Sequence, residues 1–273
     1  MPDDVILFDV RDGLAHLTLN RPERLNAVDP AAIDRWRELA HEIAGRDDIG
    51  AVLFDAAGRA FCAGGDVVAM SELAAAADGE PGGRGDGAAD GAARVIRELA
   101  DRIHEGHRVL RESTKPIVAA VQGPVAGGGL GFLLVADVIV ASERATFASR
   151  YSDVGLTPDC GVSTLLPEAV GVRRALELTL TSRTLSAAEA LDWGLVAEVV
   201  APGALEARAR AIAEGWLAGA THAFGQAKRL VHAGRGRAFQ DSLDDEAATI
   251  AAAFVTPDAQ AGISRFAAGS TRR

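Results

Sequence analysis

The chain has 273 residues, 48% hydrophobic and 24% charged, which is typical of a folded globular protein. Its formal net charge of −10 argues against binding to nucleic acid, since proteins that bind a phosphate backbone need clustered positive charge. The N-terminal residues lack the basic and apolar regions of a secretory leader, and no apolar run approaches the roughly 20 residues of a membrane span. We therefore expect a cytoplasmic protein with no membrane partner, in which Cys62 and Cys160 are reduced thiols.

The first half of the chain alternates between strand and helix patterns. Two apolar segments flank Asp12-Gly13, a pair typical of a two-residue hairpin turn. Asp29 and Pro30 are the cap and first residue of a predicted helix. Further elements follow: strands over Ala51–Asp55, Ile117–Val121 and Val138–Ala141, a helix over Arg94–Arg111, and a short apolar helix ending near Ala136. Repetition of strand, helix and strand indicates an α/β fold with parallel strands.

Two further segments define the organisation of the chain. Residues 74–93 are almost all Ala, Gly, Asp and Pro, which predicts a mobile surface loop. Ser186 and Glu189 form a capping box that opens a helix ending at Gly194, and a last strand follows over Val196–Val200. Only helical patterns follow Pro202. We therefore predict a body over residues 1–200 and an all-helical region over residues 201–273 that packs on the body or on a neighbouring subunit.

Two glycine-centred turns, residues 59–66 and 124–131, each follow an apolar strand. Such turns can direct free backbone N–H groups towards one point, where two donors form an oxyanion hole for an acyl compound. The alternative is that these glycines only serve sharp bends.

Asp159 is an acid between apolar neighbours in its loop, which suits it to proton transfer. The alternative is that Asp159 caps the helix that begins near Gly161. His104 and His107 have the wrong spacing to put two metal ligands on one helical face, so we interpret them as solvated helix residues.

The sequence resembles the crotonase superfamily, also called the enoyl-CoA hydratase/isomerase family, over essentially its whole length. The matching segments are 19–27, 60–66, 115–129, 136–137, 147–161 and 185–200. The resemblance implies a crotonase-like spiral of ββα repeats with a C-terminal helical trimerisation region. It also implies acyl-CoA thioester substrates, no cofactor apart from the CoA of the substrate, and a homotrimer or dimer of trimers.

The resemblance also implies roles for individual residues. The N–H groups of Gly65 and Gly128 would hold the thioester oxygen, and Asp159 is at a position where some members carry a catalytic aspartate. The residues implied to contact CoA are Arg24, Leu25 and Ala27 in one loop, Ala63 and Asp66 in the first glycine turn, and Phe266, supplied by a neighbouring subunit.

Two departures from the family pattern bear on the reaction. Hydratases of this family use two glutamates, and this chain has Gly131 and Tyr151 at those positions. A lone Asp159 is enough for a proton shift, so we expect an isomerase, similar to the epoxyphenylacetyl-CoA branch. The alternatives are a hydratase or hydrolase that uses Asp159 to activate water, a dehalogenase in which it is the nucleophile, and a non-catalytic binder of acyl-CoA. Tyr151 either contacts substrate, by orientation or a hydrogen bond, or only packs in the pocket.

Overall fold

A six-stranded sheet forms the centre of the computed structural model, which describes residues 4–78 and 86–270. The spatial order is β1-β2-β3-β4-β6-β9. The strands are β1 (Ile6–Arg11), β2 (Leu14–Leu19), β3 (Ala51–Ala56), β4 (Ile117–Val121), β6 (Val138–Ser142) and β9 (Glu198–Val200). Only β1 and β2 pair antiparallel, and every other pair in this sheet is parallel, which confirms the predicted α/β architecture.

The β1–β2 hairpin turns at the predicted pair. Asp12 and Gly13 have φ angles of 49° and 83°, so both adopt the left-handed conformation that a tight hairpin turn requires. The hairpin places β2 beside β3, whose end carries the first glycine turn.

A second, three-stranded sheet carries the second glycine turn. It consists of β5 (Val125–Ala126), β7 (Thr146–Ala148) and β8 (Thr184–Ser186), in that order. β5 pairs in parallel with β7, and the chain then leaves β5 directly into the glycines that start α4 (Gly129–Leu134). The small sheet therefore fixes the position of this turn.

Helices cover the larger sheet on both faces. On one face, α1 (Pro30–Gly45) buries Ile33, Trp36, Ala40 and Ile43, as its apolar periodicity predicts, and its N-cap Asp29 accepts from the Ala32 N–H. The other helices before the last strand are α2 (Val67–Asp78), α3 (Asp86–Glu112), α5 (Val162–Val170), α6 (Val172–Leu180) and α7 (Ala187–Trp193). The predicted capping box of Ser186 and Glu189 is present at the start of α7.

The C-terminal region consists of helices joined by short turns, as predicted, and contains no strand among its described residues. It comprises α8 (Leu205–Ala218), α9 (Thr221–Gly234), α10 (Phe239–Phe254) and α11 (Pro257–Ser270), after one short 3₁₀ turn. α8 buries Leu205, Ala209 and Ala213 against the opposite face of the sheet, in a second hydrophobic cluster with β3, β4 and β6. The boundary near residue 200 stays a prediction.

A buried lysine ties α9 to the body. The Lys228 side chain is 3% exposed, and its ammonium group lies 3.1 Å from a carboxylate oxygen of Asp137. It also donates to the carbonyl oxygens of Leu110 and Lys115, at 3.0 and 2.8 Å. One side chain of α9 therefore contacts the end of α3 and the segments just before β4 and β6.

The prediction of a loop over residues 74–93 is wrong for most of that segment. Residues 74–78 belong to α2 and residues 86–93 to α3, while 79–85 lie outside the described residues. Alanine has the highest helix propensity, and here it overrides the scattered glycines and aspartates. Within the described ranges, no helix has the combination of length and apolar character needed to cross a membrane.

Candidate active site

The two glycine turns pack against each other through their backbones. Gly64 has a φ of +96°, and a Cβ atom at this position would lie 2.9 Å from the carbonyl oxygen of Ala126 and 3.2 Å from the nitrogen of Gly128. The N–H of Ala126 donates to the carbonyl oxygen of Cys62 at 2.9 Å, which joins the turns further. A side chain at position 64 would separate them, so the sequence needs glycine there.

The turns present two free backbone donors to one cavity. Neither the N–H of Gly65 nor that of Gly128 has a hydrogen-bond acceptor among residues 4–78 and 86–270, although both glycines line the cavity. The neighbouring N–H groups are used: that of Asp66 donates to Val28 and that of Gly127 to Ala148. This arrangement has the features of an oxyanion hole, in which main-chain donors point to the place where negative charge develops during a reaction.

Asp159 and Tyr151 lie next to these donors. The Tyr151 hydroxyl donates to Oδ1 of Asp159 at 2.5 Å. A Cβ atom built on Gly128 would be 3.6 Å from that Oδ1 and 3.7 Å from the Tyr151 hydroxyl oxygen. Burial, with the nearby Cys160 and Asp159, raises the pKa of Tyr151 well above its usual range, so its hydroxyl stays protonated.

The side chain of Asp159 makes no capping hydrogen bond to the helix that follows it. The N-cap of α5 is Gly161, which makes no side-chain capping bond, and only the backbone carbonyl of Asp159 contacts the helix, through the N–H of Val162. The alternative in which the Asp159 side chain caps this helix is therefore wrong. Its carboxylate faces the cavity instead.

Gly131 has no space for any side chain. A Cβ atom at this position would lie 2.2 Å from the carbonyl oxygen of Cys160 and 2.4 Å from its Cβ. The Cys160 segment is held from its other side as well, because the N–H of Cys160 donates to Nε2 of His104 at 3.2 Å. Neither contact could be predicted from the sequence, because neither residue pair lies close along the chain.

Most of the remaining cavity wall is apolar, and its charged side chains are those of Asp29, Asp66 and Arg150. The cavity has a volume of about 200 Å³ and lies between α1, α2, α3 and the 150–160 segment. Its apolar side chains are those of Val28, Ile33, Val67, Met70, Ile96, Leu99, Ile103, Phe132, Val154 and Leu156. Met70 lies over the first donor, since its sulfur would be 3.2 Å from a Cβ atom on Gly65. Such a space fits an apolar acyl group.

The predicted CoA-binding loop lies against the first glycine turn. The N–H of Ala63 donates to the carbonyl oxygen of Leu25 at 3.1 Å, and Leu25 adopts a left-handed φ of 53°. Arg24 and Ala63 are exposed, and Ala27 is half-buried. The loop is held by Asn26, which sequence reasoning missed: its buried amide donates to the carbonyl oxygens of Ala57 and Ala60, both at 2.9 Å.

Asp66 lines the cavity, but its carboxylate is already paired. Oδ1 accepts from the N–H groups of Val68 and Ala69, at 3.2 and 3.3 Å, and so caps α2. Oδ2 lies 3.2 Å from Arg21 and 3.6 Å from Arg24. Its predicted contact with CoA stays a prediction, and the structure gives it a second role in holding the turn.

Phe266 and the two histidines occupy different environments. Phe266 lies on α11, is 80% exposed and does not line the cavity of its own chain. His104 is exposed, as predicted, but His107 is buried, which corrects the expectation of solvation. Nδ1 of His107 accepts from the indole N–H of Trp36 at 3.0 Å, and burial lowers the pKa of His107 to about 3.

Known proteins of one enzyme family are similar to this chain over most of its length. Residues 9–270 match the family described as enoyl-CoA hydratase/isomerase. The chain is 31% identical to a 1,2-epoxyphenylacetyl-CoA isomerase from Escherichia coli K12, covering 97% of this chain and 96% of the relative. It is 30% identical to a 4-chlorobenzoyl coenzyme A dehalogenase from an Arthrobacter species, covering 93% and 87%. Its fold is similar to that of an enoyl-CoA hydratase from Mycobacterium smegmatis, with a TM-score of 0.84 at 27% identity and coverage of 98% and 97%.

Proposed function

Since this chain belongs to the enoyl-CoA hydratase/isomerase family, we propose that it is an acyl-CoA isomerase that moves a proton along an apolar acyl chain. The observation that carries the proposal is the position of Asp159. Its carboxylate faces the cavity beside Gly128, and the family's two glutamate positions hold Gly131 and Tyr151.

In the proposed reaction, backbone N–H groups stabilise the negative charge of the enolate, and one side chain transfers the proton. The thioester oxygen accepts hydrogen bonds from the N–H groups of Gly65 and Gly128. Asp159 removes a proton from a carbon of the acyl chain, and the electrons of that C–H bond move to the thioester oxygen as an enolate. The same carboxyl then returns the proton to a different carbon, so the double bond moves.

The space around Gly131 supports isomerisation over hydration. Addition of water needs a base for the water and an acid for the carbon. A second carboxylate at position 131 would collide with Cys160, whose carbonyl oxygen lies 2.2 Å from the place of its Cβ. A lone Asp159 is sufficient for a 1,3 proton shift.

The proposal includes the substrate carrier and the assembly. CoA enters as part of the substrate and contacts Arg24, Leu25, Ala27 and Ala63 at the mouth of the cavity. The protein acts as a homotrimer or a dimer of trimers in the cytoplasm, and Phe266 completes the site of a neighbouring subunit. Exposed apolar side chains on the last helices, including Phe239, Ile250 and Phe254, support this assembly.

Mass spectrometry in D₂O tests the proposed reaction. The purified protein is incubated with 2-enoyl-, 3-enoyl- and aromatic-acyl-CoA, including 4-chlorobenzoyl-CoA, beside the variant Asp159→Asn. We expect double-bond migration or deuterium incorporation that depends on Asp159, with no gain of water. The matched control is Asp192→Asn, a carboxylate that is 75% exposed and paired with Arg174, which should keep full activity.

Other outcomes would replace the proposal. Full activity in Asp159→Asn would remove Asp159 from the reaction. A gain of one water would indicate a hydratase, and release of chloride would indicate a dehalogenase. Binding of the whole panel without turnover would indicate a non-catalytic binder.

A further inference from the structure

We infer that Tyr151 is a positioning residue that holds Asp159 through Oδ1, so that Oδ2 alone exchanges protons with the acyl chain. This inference rests on the proposed function and assigns a specific role to the aromatic side chain that stands at the second glutamate position.

The contact between the two side chains is short and enclosed. The Tyr151 hydroxyl lies 2.5 Å from Oδ1 of Asp159, and the tyrosine side chain is buried, with 7% of its surface exposed. Apart from a contact with the thiol of Cys160, the structure shows no other hydrogen bond to this carboxylate within residues 4–78 and 86–270. Oδ2 is therefore the oxygen that Tyr151 leaves for substrate.

Apart from Cys160, the charged and titratable groups near Asp159 in the described part of the chain have other partners. His104, on α3, accepts from the backbone N–H of Cys160 and thus fixes the main chain rather than the carboxylate. The Arg150 guanidinium pairs with Asp153 and Thr184. On the opposite wall, Asp29 caps α1 and pairs with Arg21. Asp66 caps α2 and pairs with Arg21 and Arg24.

The neighbouring thiol does not replace the hydroxyl. Cys160 is buried, and burial together with Asp159 raises the pKa of its thiol well above the usual range, so it stays neutral. A thiol is a weak hydrogen-bond donor compared with a phenol. Tyr151 is therefore the group that sets the orientation of the carboxylate.

A carboxylate held in this way reaches the acyl chain from one face only. The C–H bond of the first carbon breaks, an O–H bond forms at Oδ2, and the electron pair moves to the thioester oxygen. The O–H bond then breaks, the electron pair of the enolate returns through the conjugated carbons to form the new C–H bond at the second carbon, and the thioester C=O bond forms again. Since Oδ2 stays on one side of the acyl chain, removal and return occur on the same face.

Two variants separate the hydroxyl from the ring. Tyr151→Phe removes only the donor, and Tyr151→Leu removes the ring as well. We expect both to lower kcat of the isomerisation by about 10²-fold, the size of effect that misplacement of a reacting group causes, with little change in KM.

A purely structural role for Tyr151 would give a different result. If Tyr151→Phe kept the kcat and KM of the wild type and only Tyr151→Leu lost activity, the ring would be packing and the inference would be overturned. If Asp159→Asn were fully active, the proposed function itself would fail. Loss of activity in Asp159→Asn, combined with no effect of Tyr151→Phe, would overturn the inference alone.

A measurement on the wild-type protein removes any dependence on how the variants fold. A substrate with deuterium at one prochiral position of the donor carbon reports which face loses its proton, and the product made in D₂O reports which face receives one. We expect the same face. Removal and delivery on opposite faces would show that one fixed oxygen does not do both steps.

Discussion

At the residue scale, Gly131 shows how a missing side chain sets the chemistry of the cavity. Its Cα lies so close to Cys160 that any Cβ would overlap the backbone of the residue after Asp159. A carboxylate at this position, which the family resemblance implies for hydratases, would not fit here, and the clash would fall on Cys160, the residue next to Asp159.

Replacement of Gly131 by alanine tests this packing. We expect Gly131→Ala to lower the free energy of unfolding by about 1–3 kcal/mol, the usual effect of overpacking. It should also reduce isomerase activity, because Cys160 must shift and Asp159 with it. Urea denaturation and steady-state rates measure the two effects.

The control is Gly215→Ala in α8, where no atom lies within 4 Å of the added Cβ. This change should raise the free energy of unfolding by up to about 1 kcal/mol through helix propensity. Equal stability of the two variants would contradict the steric account of Gly131.

At the element scale, α1 and α3 are joined by a buried polar contact inside an aromatic cluster. The indole N–H of Trp36 donates to His107, and the His107 ring is 4.7 Å from that of Phe132, a cavity-lining residue. Burial lowers the pKa of His107 from 6.5 to about 3. The packing of α1 against α3 beside the cavity therefore requires a neutral His107 imidazole.

This contact predicts a loss of stability in acid. Between pH 6.5 and about 3 the unfolded chain binds a proton at His107 that the folded chain does not, so stability falls as the pH falls through this window. From pH 7 to pH 5 the loss from this residue is about 2 kcal/mol. In His107→Gln, which keeps an acceptor for Trp36, the difference in unfolding free energy between these pH values should shrink by that amount.

Urea denaturation at the two pH values measures this difference, with His222→Gln as the control at an exposed histidine of α9. A His107→Gln variant with the same pH dependence as the wild type would show that His107 does not cause the acid sensitivity.

Elements with local signals could be predicted from sequence, and elements that depend on distant partners could not. The Asp12-Gly13 turn, the Asp29 cap and the Ser186 capping box all act within a few residues, and the structure confirms each. The helices over residues 74–78 and 86–93 were missed because glycine and aspartate interrupt the alanine pattern. Burial of His107 was missed for a different reason, since it depends on Trp36, which lies far away along the chain.

Some features of the candidate site could likewise be predicted from the sequence, and others could not. The glycine turns could be found because their spacing after strands is visible in the sequence. The hydrogen bond from Tyr151 to Asp159 spans eight residues across an irregular segment, and no periodic pattern indicates such a contact. The closed space at Gly131 depends on a contact with Cys160 that only the folded chain contains.

At the scale of the whole molecule, the C-terminal helices have two kinds of surface. α8 is buried against the sheet, and Lys228 of α9 is clamped to the body. α10 and α11, in contrast, expose Ile250, Phe254 and Phe266 at 68%, 57% and 80%. Apolar side chains exposed in this number are typical of a surface that binds another chain.

Light scattering of the purified protein tests the assembly. We expect a mass of three or six times the 28.2 kDa of one chain. The double variant Ile250→Asp/Phe254→Asp should shift the mass towards the monomer, because burial of a charge in an apolar interface is unfavourable. It should also raise KM if a neighbouring Phe266 completes the site.

The matched control is Leu180→Asp on α6, at a leucine that is 71% exposed. It should leave the mass unchanged. A monomeric wild-type protein with full activity would contradict both the assembly and the contribution of Phe266.

The direct contact between Gly64 and the second turn has a consequence for laboratory evolution. The two donors belong to the main chain and are kept in place by the close approach of two backbones, so exchanges of side chains elsewhere in the cavity should leave both N–H groups where they are. A library that varies Met70, Tyr151 and Asp159 would therefore change the size of the cavity and its proton-transfer groups, while the two backbone donors stay the same.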